Sequence, residues 1–116
     1  MTKDNSRRLT VAGNWKMNGS SAFIESFGAE LASELSKELD AQLLIFPPAL
    51  LLTTAKAQLP PGVAVGAQNI HTEVSGAFTG EQSAEMLADL AISWTLVGHS
   101  ERRALFGETN EDTAAK

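Results

Sequence analysis

Cysteine is absent from this chain, so disulfides, thiolate metal sites and cysteine nucleophiles are all excluded. Basic residues are few: 9 lysines and arginines stand against 14 acidic residues, for a formal net charge of -5. The only adjacent basic pairs are Arg7-Arg8 and Arg102-Arg103. A nucleic-acid surface needs a basic stripe, so no nucleic-acid partner is expected. No apolar run is long enough to span a bilayer, and no membrane association is expected. The polar amino terminus has no apolar signal core, so a reducing cytoplasm is the simplest location. What is present is 43% hydrophobic residues in 116, enough for one folded domain and against wholesale disorder.

The apolar pattern alternates between strand and helix. Residues 8–14 are apolar and β-prone, and Ser20 and Ser21 offer a helix N-cap. Phe23, Phe27, Leu31, Leu35 and Leu39 then recur every fourth residue, with Ile24 and Ala32 beside them, which predicts one apolar helix face. Glu25, Glu30, Lys37 and Glu38 fall largely off that stripe. Leu43-Leu-Ile-Phe46 reads as a strand covered on both faces, ended by Pro47-Pro48. Pro48 suits the first turn of a short helix through about Leu59, which Pro60-Pro-Gly62 breaks. Val63-Ala-Val-Gly-Ala67 is a third buried strand.

A long segment from about Asn69 to Gly80 follows, well beyond the roughly two to six residues of an ordinary βα connection. Thr79 and Gln82 have capping-box spacing, so a third helix is expected from Gly80 to Leu90. Residues 94–98 predict a fourth strand, and Asn110 to Lys116 the opening of a further long helix. Repeated βα alternation specifies a parallel sheet with helices packed outside it.

Two strand ends carry the chemistry. In the first strand, alternation puts Thr10, Ala12, Asn14 and Lys16 on one face and Leu9, Val11 and Trp15 on the side that packs under helices. In the fourth, it groups Thr95, Val97 and His99 against Trp94 and Leu96. Asn14, Lys16 and His99 are therefore expected to converge at the carboxyl ends of two strands, where α/β proteins bind ligands. Lys16 alone could be a solvated lysine, His99 a satisfied core histidine and Asn14 a turn residue; together on one face they point to a site. His99 begins the first turn of a helix opened by Ser100. There the helix dipole favours a neutral imidazole that donates a hydrogen bond. Glu101 either complements that dipole or aims Lys16. Arg102 and Arg103 read as structural pairing residues. His71 lies too far along the chain from His99 to suggest a metal pair.

The segments Gly13-Asn-Trp-Lys-Met-Asn-Gly19, Gly76-Ala-Phe-Thr-Gly-Glu81 and Val97-Gly-His-Ser-Glu-Arg-Arg103 resemble, in order and spacing, three signatures of the triosephosphate isomerase family. Phe106-Gly-Glu-Thr-Asn-Glu111 extends the likeness, which runs from Arg8 to Lys116. The resemblance implies an α/β fold made of the first four βα units of a (β/α)8 barrel, a single incomplete domain over residues 1–116. It implies interconversion of dihydroxyacetone phosphate and glyceraldehyde 3-phosphate, a small phosphorylated triose as substrate and no cofactor. Lys16 would steady the phosphate and the enediolate charge. His99 would polarise the carbonyl, Asn14 would bond the substrate oxygen and Glu101 would orient Lys16. The long loop would reach into a second copy, with Thr79 near its tip completing the partner's site, so a homodimer is implied for the complete enzyme.

A full barrel of this kind needs about 250 residues. The family's catalytic glutamate, lid and phosphate loops lie on later strands, and no residue here matches them. Glu108 and Glu111 belong to the turn into the last helix. These 116 residues alone are therefore expected to be essentially inactive. A non-catalytic half-barrel used for assembly is the alternative, and a small anion-binding protein built on Lys16 is a weaker one, since it leaves His99 without a task.

Overall fold

The strands and helices alternate as the apolar pattern requires. The computed structural model describes residues 7–35 and 40–116. Strand β1 (Leu9–Asn14) leads to helix α1 (Ser21–Glu34), and β2 (Ala41–Phe46) to a 3-10 turn (Ala49–Leu51) and α2 (Leu52–Gln58). Strand β3 (Val63–Ala67) precedes α3 (Ala84–Asp89), and β4 (Trp94–Thr95) precedes α4 (Ser100–Phe106) and α5 (Asn110–Ala115). The four strands pair in parallel in chain order, β1-β2-β3-β4, and curl into a half-barrel with the helices between them. In register, Asn14 lies beside Phe46, Ile45 beside Val65, and Gly66 beside Trp94.

The core lies between the sheet and its helices, where Ile24, Leu52, Ala55, Leu59, Val65 and Ile92 are buried together. At about 25 cal/mol per Å² of apolar surface removed from water, these side chains are the main favourable term for this half of the fold. On α1 the buried line runs through Ile24 and Gly28, with Phe27, Leu31 and Leu35 half-buried and Phe23 45% exposed. A strict four-residue stripe overshoots each turn by about 40° in a helix of 3.6 residues per turn, so Phe23 drifts off the face it begins on. Leu39, Lys37 and Glu38 lie outside the described residues. Gly28 is mid-helix, where glycine costs about 1 kcal/mol. A Cβ there would meet the Gln58 carbonyl at 3.1 Å, so the missing side chain lets α2 approach.

Three expectations are corrected. The third helix starts at Ala84 because Ser83 caps it, its Oγ accepting from the Met86 N–H at 3.2 Å. Gln82 is engaged elsewhere, its carbonyl accepting from the His71 N–H, so the Thr79–Gln82 box does not form. The fourth strand ends at Thr95, not residue 98, although the Leu96 N–H still reaches the Ala67 carbonyl. Gly98 then turns the chain with φ of 65°. Finally, Leu9 and Val11 are 66% and 50% exposed, so no helix among the described residues covers them.

The long loop is built rather than bare. Its base closes through His71 N–H to Gln82 O at 2.8 Å. The Phe78 ring lies on His71 with centroids 4.1 Å apart, and the Glu73 N–H donates to His71 Nδ1 at 3.0 Å. The aromatic residue at the tip is therefore partly shielded by the loop itself.

Candidate active site

Asn14 and Lys16 leave β1 by a local turn. The Asn14 side-chain oxygen accepts the Lys16 N–H at 2.9 Å, and Lys16 takes a left-handed backbone with φ of 56°. For a side chain with a Cβ that conformation costs roughly 1–2 kcal/mol, so its neighbours must hold it. Gln68, the first residue after β3, supplies the tie: its Nε2 donates to the Lys16 carbonyl at 2.8 Å and to the Phe46 carbonyl at 2.9 Å. Trp15 anchors the other side of the turn, its indole edge-on to Phe23 and Phe27 of α1.

His99 arrives by a different route from the one alternation predicts. A Cβ on Gly66 would strike the Phe46 ring and the Trp94 Cβ, so Phe46, Gly66 and Trp94 share a face, and Asn14 pairs beside Phe46. Trp94, not Thr95, is therefore on the Asn14 side of the sheet. The grouping of Thr95 with Asn14 fails because Trp94 holds that register position, and the turn at Gly98 redirects the chain before His99. His99 becomes the N-cap of α4, with Nδ1 accepting from the Glu101 N–H at 3.0 Å. An imidazole that accepts at Nδ1 carries its proton on Nε2, leaving that nitrogen as the donor.

The three predicted residues nonetheless line one open cavity of about 700 Å³, together with Gln68 and Glu101. Glu101 links them: its carboxylate lies 3.3 Å from Lys16 Nζ, and its other oxygen 3.7 Å from His99 Nδ1. Both partners of the Lys16–Glu101 pair are about half exposed, so the pair adds little stability. Thr79 sits exposed on the loop and does not itself line this cavity, although Gly80, Glu81 and Gln82 directly after it do. Among the described residues no group of three His, Cys, Asp or Glu is placed to hold a metal.

Behind the site lies a polar cluster that sequence reading undervalued. Glu108 is buried at the start of α5, accepting from the Gly98 N–H at 3.1 Å, Arg102 Nε at 2.8 Å and Lys116 Nζ at 3.0 Å. Lys116 also donates to Asn69. Arg102 is thus the structural ion-pairing residue expected. Arg103 makes hydrogen bonds to Gly98 O, Asn110 and Thr113. Burial opposes the Glu108 charge, but the hydrogen bonds from Arg102 and Lys116, the Lys116 charge and the Gly98 N–H outweigh it and hold the carboxyl at about 2, down from 4.5. A depressed folded value stabilises the fold above the unfolded value and loses that contribution as pH falls. Glu108→Gln should therefore cost roughly 3 kcal/mol at neutral pH, since it leaves two cations under-compensated. Thermal melts of a complete barrel that carries residues 9–116 should show the gap to the parent closing between about pH 4.5 and 2; a gap independent of pH contradicts this assignment.

Parallel strands in chain order, helices between them, and an ammonium, an amide and an imidazole in one cavity at the carboxyl-end rim define half of an α/β-barrel protein. A family model for triosephosphate isomerase matches residues 9–116. Proteins named triosephosphate isomerase from Halorhodospira halophila, Marinobacter nauticus and Rhodopseudomonas palustris are 46%, 48% and 50% identical to it, over 95%, 95% and 94% of this chain. The chain belongs to the triosephosphate isomerase family. It spans 43%, 44% and 44% of the length of those three relatives.

Proposed function

We propose that this chain carries the electrophilic half of a triosephosphate isomerase site, acting on dihydroxyacetone phosphate and glyceraldehyde 3-phosphate in the cytoplasm. The supporting observation is that Lys16, Asn14 and His99 line one cavity with Glu101 beside the ammonium. When a carboxylate base takes the proton from the carbon next to the carbonyl, negative charge gathers on the carbonyl oxygen. The His99 Nε2–H donates to that oxygen, and the Lys16 ammonium stabilises both it and the phosphate. Donors already aimed at the developing charge need no reorganisation as it forms. A neutral histidine working opposite a carboxylate base is the family's known chemistry. Asn14 bonds the substrate oxygen and Glu101 keeps Lys16 on target.

A second copy of the chain is the partner. Leu105 and Phe106 of α4 line the cavity and stand exposed, an apolar surface that the 71–82 loop of a second copy would cover. Thr79 then reaches the neighbouring site. The test is a graft in which residues 9–116 replace the matched segment of the Halorhodospira halophila relative. The graft should interconvert the two triose phosphates and behave as a dimer in light scattering. A folded graft without isomerase activity refutes the proposal.

A further inference from the structure

We infer that Gln68 is a positioning residue that keeps Lys16 in its left-handed conformation and so decides where the ammonium points. The inference rests on Lys16 contacting substrate as proposed above. Two peptide groups flank the Lys16 Cα. The N–H on one side is held by Asn14 from within the same turn. The carbonyl on the other side is held by Gln68 from across the sheet, with 52 residues between them. The Asn14 bond is local and adapts to several backbone conformations. The Gln68 bond is the one that ties the strained residue to a fixed point, since the same nitrogen also holds the Phe46 carbonyl at the end of β2. The Phe46 carbonyl in turn accepts the Trp15 N–H at 3.1 Å, so one carboxamide joins the carboxyl ends of β1, β2 and β3.

The residue type matches this task. One nitrogen must donate to two carbonyls, and the primary amide has two N–H groups for that. Asparagine is one methylene shorter, and an ionised glutamate has no proton to donate. Without the clamp, Lys16 relaxes toward negative φ, because the left-handed state is costly for a side chain with a Cβ. Rotation at that residue swings Nζ away from Glu101 and the His99 cavity.

The graft described above tests this through Gln68→Leu, which removes both donors. Displacing a reacting group by about 1 Å can cost on the order of 10²-fold, so kcat/KM should fall by about that factor at a temperature where circular dichroism shows the variant folded. A merely structural role would lower the melting temperature and leave kcat/KM of the folded enzyme unchanged; a value within twofold of the parent overturns the inference. Lys16→Ala in the same graft separates the two claims. If it leaves activity intact, the reading of Lys16 fails. If it abolishes activity while Gln68→Leu does not alter it, only the role of Gln68 fails. Should Gln68→Leu not fold, Gln68→Glu decides the question by its pH profile. The ionised carboxylate repels both carbonyls, whereas the protonated acid donates to one. Activity relative to the parent should rise as pH falls; a flat ratio overturns the inference.

Discussion

Produced as these 116 residues alone, the chain should turn over glyceraldehyde 3-phosphate at least about 10²–10⁴-fold more slowly than a full-length relative, the usual cost of a missing general base. The acids closest in sequence to His99 do not supply that base. Glu108 is close to His99 in sequence, but both its oxygens are occupied by Gly98, Arg102 and Lys116. Held at about 2, its carboxylate is also too weak a base to take a proton from carbon. Glu101 is spent beside Lys16, and Glu111 lies exposed on α5. The physical state adds to the deficit. Leu9 and Val11 on β1 and Trp94 on β4 are exposed at the two open edges of the sheet, and edges of that kind recruit other chains. A coupled isomerase assay on the purified chain, with light scattering on the same sample, checks both points. Near-normal turnover, or a compact monomer that melts cooperatively, would contradict them.

In the active graft, Lys16→Ala and His99→Gln should each lower kcat by about 10²–10³-fold, the typical loss for a donor aimed at developing charge. The two losses differ in character. In the proposed mechanism the ammonium acts on both the phosphate and the oxyanion, so its removal should raise KM as kcat falls. The imidazole would supply one directed N–H and the proton transfer between neighbouring oxygens, so its removal should lower kcat with KM little changed. Glu101→Gln should sit between the parent and Lys16→Ala, because it loosens the ammonium without deleting it. Steady-state kinetics on the three variants resolve this order. Equal KM values for Lys16→Ala and the parent would remove Lys16 from substrate contact.

The order of elements was legible in the sequence because apolar periodicity and caps are local properties. Helix α5 begins at Asn110 as expected, and His99 precedes an α4 that starts at Ser100. Asn14, Lys16 and His99 line one cavity, but side-chain alternation is not what gathers them. Side-chain alternation applies only while a strand is paired. Lys16 lies beyond the end of β1 and His99 beyond the end of β4. What brings them together is a left-handed residue and a glycine turn, with φ of 56° at Lys16 and 65° at Gly98. Dihedrals of that kind leave little trace in a hydrophobic pattern. Gln68 and Glu108 were passed over for a related reason. Each acts through partners distant in the chain, and a lone amide after a buried strand reads as ordinary loop polarity until the Lys16 carbonyl is seen against it.

The most direct test of the shared rim is a crystal structure of the graft with phosphoglycolate, a phosphate-bearing carboxylate with the planar shape of an enediolate. Lys16 Nζ and His99 Nε2 should both lie within hydrogen-bond distance of the one ligand, with Asn14 beside it and Lys16 still left-handed. A ligand that touches only one of the two, or that meets His99 through Nδ1, would contradict the account.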